Sequence, residues 1–445
     1  MKINSLVLEN FRNYTNLEID FDGSRNIIVG ENAQGKTNLV EAIYMTAFAR
    51  SFRTNNSADM IGFGKKTGRV SAYVESEEIE KNINITLRSD GKKMIQKDGK
   101  AVKRTADLLN TVVVIVFTPE DLRIIKDSPE KRRAFINREL SQMRPRYYEQ
   151  LRRYNEALKE KNALLKGFFN IRKKTFTRAD NLVLNDIQNY GGSAADGGLI
   201  GSGSGDGAVD GDKSLSANAG AQGGGSIGDG TRGSSTALRN PFDNSRRYNE
   251  DLLDIYDRQL ADAGYELIRY RMEFVDMLSA EASEIMRNIS GSREQLEITY
   301  KTACDFVTAS EGREILFSQI KHNRDRDVYS GSATLGPHRD DIEFHINGND
   351  AKRYGSQGQQ RTIALSLKLA EIRIARQMLG EAPVLLLDDV LSELDPGRQR
   401  FLISEIDDVQ LFITSAELAS EVASSLRGGT LFRIEEGSVT RVDKY

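Results

Sequence analysis

The sequence predicts an α/β protein in which mixed sheets from both ends of the chain form one nucleotide-binding domain, interrupted by a helical arm. Three observations carry this prediction. A phosphate loop occupies residues 30–37, an apolar strand ends in Asp388 and Asp389 near the other end, and two long helical patterns lie between them. Because a phosphate loop and an acidic strand end act on one nucleotide, the two ends should meet.

The loop reads Gly30-Glu31-Asn32-Ala33-Gln34-Gly35-Lys36-Thr37 and fits the pattern G-x-x-x-x-G-K-[ST]. A buried strand over 26–29 precedes it and a helix over 38–44 follows it, a context that favours a phosphate site over a chance glycine turn. Its backbone N–H groups would hold phosphate oxygens, Lys36 would reach the β- and γ-phosphates, and the Thr37 hydroxyl would ligate Mg²⁺.

Bulk composition excludes several classes of protein. The single Cys304 rules out a disulfide framework and fits a reducing compartment, and the three scattered histidines offer no metal cluster. The first ten residues alternate like a strand and lack the apolar core of a signal peptide, and no later stretch could span a bilayer. We therefore expect a cytoplasmic protein without a membrane partner.

Charge is distributed unevenly. The net charge is only −3, but between Asp121 and Arg178 seventeen Lys or Arg stand against seven Asp or Glu. Such a stripe could neutralise DNA phosphates, and it could equally be a solvated helical face. The candidate DNA contacts on it are Arg132, Arg133, Arg144 and Arg146.

The N-terminal part, residues 1–138, is predicted to hold short strands that form half of a mixed sheet carrying the loop. These strands cover 17–21, 69–75, 83–88 and the fully apolar 112–117.

Residues 139–290 are predicted to form the arm. Apolar residues at helical spacing follow Pro145, and a second helix is expected from Glu250 to Asn288, so that the two could pack antiparallel. Between them, residues 191–233 contain sixteen of the 38 glycines. We expect a disordered Gly/Ser-rich insertion over about 170–246, at a hairpin tip that tolerates it.

Residues 291–445 return to an α/β pattern, with strands at 295–300, 341–346, 383–388 and 410–414 and helices at 356–379 and 396–406. The strand 384–388 ends in paired acids, which is the Walker B pattern. Asp388 would hold Mg²⁺, and Asp389 would orient or deprotonate the attacking water.

The segment Ser356-Gln357-Gly358-Gln359-Gln360-Arg361 opens the long helix. A serine and free N–H groups at a helix start can bind an anion, although Ser356 could also be a simple N-cap. The segment resembles the signature motif of the ATP-binding-cassette (ABC) superfamily, whose serine contacts the γ-phosphate held by the opposite subunit.

Together, these motifs identify the chain as similar to the RecF family, bacterial recombination mediators with a cassette-type ATPase head related to that of the SMC proteins. The resemblance covers nearly the whole chain except about 170–250. It rests on the phosphate loop, Ser356–Arg361, Asp388-Asp389 and four further segments, which are Leu8–Tyr14, Phe117–Leu122, Ser128–Arg133 and Leu335–Asp341, together with Ser392-Glu393-Leu394-Asp395, which resembles the D-loop.

The resemblance implies an ABC/SMC-like ATPase head, with the helical arm as lobe II, and an ATP-controlled DNA clamp. ATP with Mg²⁺ would close a homodimer on single-stranded or gapped duplex DNA, and a weak, slow, DNA-dependent ATPase would release it. It further implies cooperation with RecR and RecO, RecA loading and SOS induction. By resemblance, Ser356, Gly358 and Gln359 would contact the nucleotide of the second copy, and Arg12 would contact phosphate unless it forms a surface salt bridge.

Three departures from the family pattern stand out: Asp127 where the family usually has Gly, Asn137 where it has Asp, and no histidine after the strand ending at Ser415. The turn Gly336–Asp341 could be a rigid connection in which His338 is a satisfied hydrogen-bonding residue. The alternatives are an ABC transporter ATPase subunit, whose motifs are spaced more closely, and a cassette-linked nuclease, which should carry an acidic metal-binding domain that we do not expect here. An SMC-type long coiled coil is rejected for lack of sustained heptads.

Overall fold

The computed structural model describes residues 1–21, 23–54, 56–190, 241–304, 311–406, 408–416, 426 and 428–442. Within these ranges the chain forms three sheets and a set of helices that cover them. No helix among these residues is long and apolar enough to cross a membrane.

The phosphate loop belongs to a six-stranded sheet built from both ends of the chain. Its strands, in chain order, are β3 (Arg25–Val29), β8 (Val114–Phe117), β12 (Val384–Asp388), β13 (Gln410–Ser415), β14 (Thr430–Glu435) and β15 (Ser438–Val442). The spatial order is β15-β14-β3-β13-β12-β8, parallel except for β15. This confirms the predicted meeting of the two chain ends, because β3 pairs with β13 and β8 pairs with β12.

The other N-terminal strands form a separate antiparallel sheet, so the prediction of one mixed sheet over residues 1–117 is wrong. This sheet has the order β2-β1-β4-β5-β6-β7. Its strands are β1 (Lys2–Phe11), β2 (Tyr14–Asp20), β4 (Thr67–Ser76), β5 (Ile79–Arg88), β6 (Lys93–Lys97) and β7 (Lys100–Ala101). Short turns connect most of them, and a tight turn favours antiparallel pairing between neighbours.

A third, three-stranded antiparallel sheet has the order β11-β10-β9, with β9 (Leu296–Lys301), β10 (Asp341–Ile346) and β11 (Asn349–Asp350). The helices are α1 (Lys36–Phe48), α2 (Pro129–Met143), α3 (Pro145–Tyr190), α4 (Pro241–Ser290), α5 (Gly312–His322), α6 (Arg324–Ser330), α7 (Ala351–Tyr354), α8 (Gln357–Leu379) and α9 (Pro396–Glu405).

The parallel sheet is buried on both faces, as sheets of this kind require. Ile28 and Leu386 point into one apolar core, which also contains α1 and the inner face of the antiparallel sheet. Ile27 and Leu387 point into the other, which contains α2, α4 and α8. Helix α1, with its phosphate loop, is therefore held between the two six-stranded sheets.

Helices α3 and α4 form the arm and run antiparallel. Tyr147 near the start of α3 accepts a hydrogen bond from Arg271 in the second half of α4, while Lys161 farther along α3 pairs with Asp257 earlier in α4. The helical backbone continues to Tyr190 and resumes at Pro241. The greater part of the predicted disordered insertion, residues 191–240, lies outside the described residues.

Candidate nucleotide-binding site

The phosphate loop connects the end of β3 to the start of α1, and its neighbours fix its shape. A Cβ added to Gly30 would lie 2.4 Å from the Ile434 carbonyl oxygen, and one on Gly35 would lie 2.6 Å from the Asn13 side chain. Gly35 also has φ +118°, a conformation that side chains rarely adopt. Packing therefore requires glycine at both positions of the motif, and backbone conformation requires it at Gly35 as well.

Lys36 is only 4% exposed, and its ammonium is folded back over the loop. Its Nζ donates hydrogen bonds to the carbonyl oxygens of Gly30, at 2.7 Å, and Glu31, at 3.0 Å. Both acceptors are neutral carbonyls, and a phosphate oxygen would be a stronger, charged partner for the same ammonium. This geometry fits the predicted role of Lys36.

The middle of the loop is open to solvent while its last residues are anchored. Glu31, Asn32 and Ala33 are exposed. Gln34 is fixed from two sides, since its carbonyl accepts from Asn13 Nδ2 at 2.9 Å and its Oε1 accepts from the Glu436 backbone N–H at 2.6 Å.

Thr37 and Asp388 lie together at the edge of the sheet where the parallel strands end. Thr37 Oγ1 donates to Asp388 Oδ1 at 3.2 Å, and Thr414 Oγ1 at the end of β13 donates to the same oxygen at 2.8 Å. Burial, with a further contribution from the charge of Asp389, raises the pKa of Asp388. A cation at this point would favour the charged carboxylate.

The donor set fits Mg²⁺ held partly by a nucleotide. The described residues contain no group of three or more His, Cys, Asp or Glu that could hold a metal ion by themselves. Mg²⁺ bound with a nucleotide needs only one or two protein oxygens, because phosphates and waters complete its octahedron. The residues that would hold it are Thr37 and Asp388.

Asp389 follows at φ 52° in the left-handed region, where Asp is one of the tolerated residues. Its backbone N–H donates to Thr414 Oγ1 at 2.9 Å. With Thr37 and Asp388 it lines a cleft of about 990 Å³ that extends toward α2 and α3. The bridging role of Thr414 was not predicted, although its position as a polar residue at the end of a buried parallel strand is a signal for such a role.

Arg12 forms an ion pair, the alternative that the sequence left open. Its Nε and Nη2 donate to both carboxylate oxygens of Glu41 at 2.8 and 2.7 Å, and its Nη1 donates to the Asp59 carbonyl at 2.7 Å. Glu41 is fully buried, so the pair is not a surface salt bridge. Arg12 ties the turn between β1 and β2 to helix α1.

Ser356 is the N-cap of α8, but this does not exclude a phosphate contact. Its Oγ accepts from the Gln359 N–H at 3.2 Å, and Gln359 Oε1 accepts from the Ser356 N–H at 2.8 Å, which forms a capping box. Ser356 is exposed. Because the hydroxyl acts as an acceptor in the cap, its own proton stays available for a donor bond to a phosphate outside.

The start of α8 is joined to the segment that follows Asp389. Arg398 donates to the Gly358 carbonyl at 2.9 Å and to Thr362 Oγ1 at 2.7 Å. Arg361 donates to the Glu393 carbonyl at 2.9 Å. The signature-like motif and the D-loop-like segment therefore form one surface.

Comparison with known proteins identifies the family. The profile of the family described as RecF/RecN/SMC N terminal domain matches residues 2–428. A protein of Clostridium perfringens named DNA replication and repair protein RecF is 33% identical over 440 residues, 99% of both chains. One of the same name from Agathobacter rectalis is 34% identical over 447 residues, the full length of both. The chain belongs to the RecF family.

Solved structures support the same assignment. A structure described as the recombination mediator protein RecF-ATPrS in the RecFOR pathway is 29% identical, with TM-score 0.76, over 99% of this chain and 98% of that chain. The corresponding RecF-ATP structure has TM-score 0.75. The fold is therefore an ABC/SMC-type ATPase head with a helical arm, as predicted.

Within this RecF-family head, the four arginines predicted to contact DNA have different environments. Arg132 is 4% exposed, and it donates to both carboxylate oxygens of Asp341 at 2.7 and 2.6 Å. Because no free donor faces solvent, the prediction that Arg132 contacts DNA is corrected. Arg133 donates to the Asp340 carbonyl, and Arg144 donates to Glu273 at 3.3 Å. Arg146 is exposed and forms no ion pair within the described residues.

The departures from the RecF-family pattern have local explanations. Asp127 does not need a positive φ, so glycine is not required there. Asn137 Oδ1 accepts from Arg271 Nη2 at 2.9 Å and from the Tyr147 hydroxyl at 2.5 Å.

His338 is a satisfied hydrogen-bonding residue. Its Nε2 lies 3.0 Å from the Ala333 carbonyl and its Nδ1 lies 2.6 Å from the Tyr154 hydroxyl. Burial lowers its pKa to about 4, so it is neutral at physiological pH, with Nε2 donating and Nδ1 accepting.

Proposed function

We propose that this chain is an ATP-controlled DNA clamp and recombination mediator of DNA replication and repair. ATP and Mg²⁺ bind at the phosphate loop with Lys36, Thr37 and Asp388. Two copies close on DNA with ATP between them, and hydrolysis reopens the dimer. Family membership and the solved structures described as RecF-ATPrS and RecF-ATP support ATP as the nucleotide.

The observation that supports an ATP-dependent dimer is the exposed Ser356 hydroxyl. It stands at the N-terminus of a 23-residue helix, where free N–H groups and the helix dipole attract an anion. Lys36 and Thr37 already serve the phosphates bound in the same chain. The anion for Ser356, Gly358 and Gln359 is therefore the γ-phosphate bound to a second copy.

Hydrolysis is slow, and the protein works as a switch more than as a power source. Asp389 orients or deprotonates the attacking water, and Asp388 holds the metal. All three histidines of the chain precede the strand that ends at Ser415, so none follows it as a phosphate sensor. Contacts of Arg361 and Arg398 link the start of α8, which faces the nucleotide of the second copy, to the segment after Asp389.

The substrate and partners follow from the relatives. The proteins named RecF act by name in DNA replication and repair, and one structure places its RecF in the RecFOR pathway. We extend this to single-stranded and gapped duplex DNA, to RecR and RecO, and functionally to RecA loading and SOS induction in the cytoplasm. Membership of the RecF family leaves no support for the transporter and nuclease alternatives.

The test is DNA binding to single-stranded, duplex and gapped substrates, with and without ATP, with dimerisation followed by light scattering. ATP should produce the dimer and strengthen DNA binding together. Lys36→Met keeps a similar side-chain volume but removes the ammonium, so it should abolish ATP binding and both responses. DNA binding and dimerisation that do not depend on ATP in the wild type would contradict the clamp.

A further inference from the structure

Phe63 is the most exposed large apolar side chain of the described chain, at 104%. It lies in the turn Gly62-Phe63-Gly64-Lys65-Lys66, named here the Phe63 turn, which leads into β4. Gly64 has φ +74° and no atom within 4 Å of an added Cβ. The turn therefore presents its aromatic ring to solvent, although burying a ring of this size would be favourable.

The charges around the ring are mostly positive. Lys65 and Lys66 are exposed, and the adjoining end of β5 with the turn after it adds the exposed Arg88 and Lys92. The two turns are joined, since the Ser89 N–H donates to the Lys66 carbonyl at 3.0 Å. The acid in this cluster, Asp90, is paired with Arg88 at 3.3 Å. For Lys65, Lys66 and Lys92 the described part of the chain supplies no ion pair.

We propose that the Phe63 turn is a contact site for single-stranded DNA, with the Phe63 ring stacked on an unpaired base and Lys65 and Lys66 on the flanking phosphates. An aromatic ring stacks on any unpaired base, and cations beside it track the backbone. Bases of a duplex are already stacked on each other, so this turn prefers single strands. The inference rests on the proposed function and specifies where the strand is held.

The position of the turn connects it with the nucleotide site. The Gly62 N–H donates to the Asn10 carbonyl at 2.8 Å, and the Arg12 N–H donates to the Met60 carbonyl at 2.8 Å. Arg12 in turn holds Glu41 of α1, and Asn13 holds the phosphate loop through Gln34. The Phe63 turn therefore contacts the turn between β1 and β2, and residues of that turn contact α1 and the phosphate loop. DNA bound at the Phe63 turn would lie beside them.

The chain contains no tryptophan, which allows a direct test. Phe63→Trp introduces a single tryptophan, which is excited at wavelengths where the fifteen tyrosines absorb little, and binding of an oligo(dT) strand in the presence of ATP should quench its emission by stacking. Phe63→Ala should weaken binding of the same strand by about 5- to 100-fold and leave blunt duplex binding nearly unchanged. Tyr73→Ala, which removes a half-exposed aromatic from the middle of β4, is the matched control and should bind as wild type.

The lysines are tested by salt dependence. Lys65→Ala/Lys66→Ala should reduce the slope of log affinity against log salt for single strands by about 1.4, because two phosphate contacts are lost. Lys100→Ala/Lys103→Ala removes the same charge from exposed positions of the chain around β7 and should leave the slope unchanged.

The outcomes distinguish a failure of the proposed DNA contact at the Phe63 turn from a failure of the proposed clamp function. Suppose that the wild type binds single strands, that Phe63→Ala binds them equally well, and that the emission of Phe63→Trp does not change when DNA is added. The Phe63 turn is then not the contact site, and the proposed clamp function is unaffected. If that emission responds instead to ATP-dependent dimerisation without DNA, the turn docks on a second copy and the DNA assignment is overturned. A wild type that binds no DNA under any condition would contradict the clamp itself.

Discussion

Thr37 Oγ1 lies 3.2 Å from Asp388 Oδ1, across 351 residues of sequence. The contact brings the only hydroxyl of the phosphate loop to the acid at the end of β12. Thr414 on the intervening strand β13 holds the same carboxylate oxygen at 2.8 Å. Strand order therefore brings together the two side chains that would hold Mg²⁺, since β13 lies between β3 and β12.

Asp388 should lower the stability of the nucleotide-free protein. Burial and the charge of Asp389 raise its pKa, so the folded chain binds a proton more readily than the unfolded chain and stability increases as pH falls through that raised pKa. Asp388→Asn keeps an oxygen acceptor for Thr37 and Thr414 but removes the buried charge. We expect its melting temperature at pH 7.5 to rise by about 2–4 °C, and its Mg²⁺-dependent ATP binding to be lost.

The two effects are measured by thermal denaturation at pH 7.5 and pH 5 and by nucleotide titration with and without Mg²⁺. The gain of the variant should shrink at the lower pH, because the wild-type carboxyl takes up its proton as pH falls through the raised pKa of Asp388. A variant that melts below the wild type at pH 7.5 would show that the carboxylate stabilises the apo fold.

Ser356 has two roles that different substitutions separate. Ser356→Asp preserves the N-cap, because Asp caps as well as Ser, but places a negative charge where the partner's γ-phosphate would bind. It should keep the melting temperature and ATP binding of the monomer while preventing ATP-dependent dimerisation. Ser356→Ala should cost about 1 kcal/mol through loss of the cap.

Ser356→Arg should likewise leave monomer ATP binding intact and block the dimer. Light scattering with ATP distinguishes the two roles of Ser356. Full dimerisation of Ser356→Asp would mean that Ser356 is an N-cap and nothing more.

The arginines of α2 and the start of α3 should divide into a structural and a DNA-binding group. Arg132→Ala leaves Asp341 without its partner and should destabilise the fold by about 3 kcal/mol. Arg144→Ala/Arg146→Ala should leave the melting temperature nearly unchanged but reduce the salt slope of duplex DNA binding by about 1.8. An unchanged slope would favour the solvated helical face over a DNA contact.

Asn137 leaves a buried cation with uncharged hydrogen-bond partners. Arg271 is 2% exposed and donates to Asn137 Oδ1, the hydroxyls of Tyr147 and Tyr300, and the Pro337 carbonyl. Asn137→Asp supplies a carboxylate at 2.9 Å and should stabilise the fold by about 1–2 kcal/mol, because a charge-assisted bond replaces a neutral one.

Urea denaturation at two pH values checks this. The guanidinium would hold the pKa of the introduced carboxyl low, so the gain should be present at pH 7 and be lost as pH falls through that pKa. A less stable variant at pH 7 would mean that desolvation of the carboxylate outweighs the pair.

The sequence by itself determined the parts of this protein whose signals are local. The phosphate loop, the apolar strand ending in Asp388, the starts of α3 and α8 and the union of the two chain ends follow from residue spacing, because glycine conformation, strand burial and helix periodicity depend on near neighbours. The resemblance to the RecF family rests on the same kind of local motif.

Tertiary structure decided what those residues contact. That Arg132 is buried against Asp341, that Arg12 holds Glu41 and that Thr414 bridges Asp388 and Asp389 depends on packing between elements far apart in the chain. The same holds for the split of the N-terminal strands into two sheets, because strand periodicity identifies a strand but not its partner. The sequence does not distinguish an exposed charged residue from one that forms an ion pair in the interior, and only the fold shows which it is.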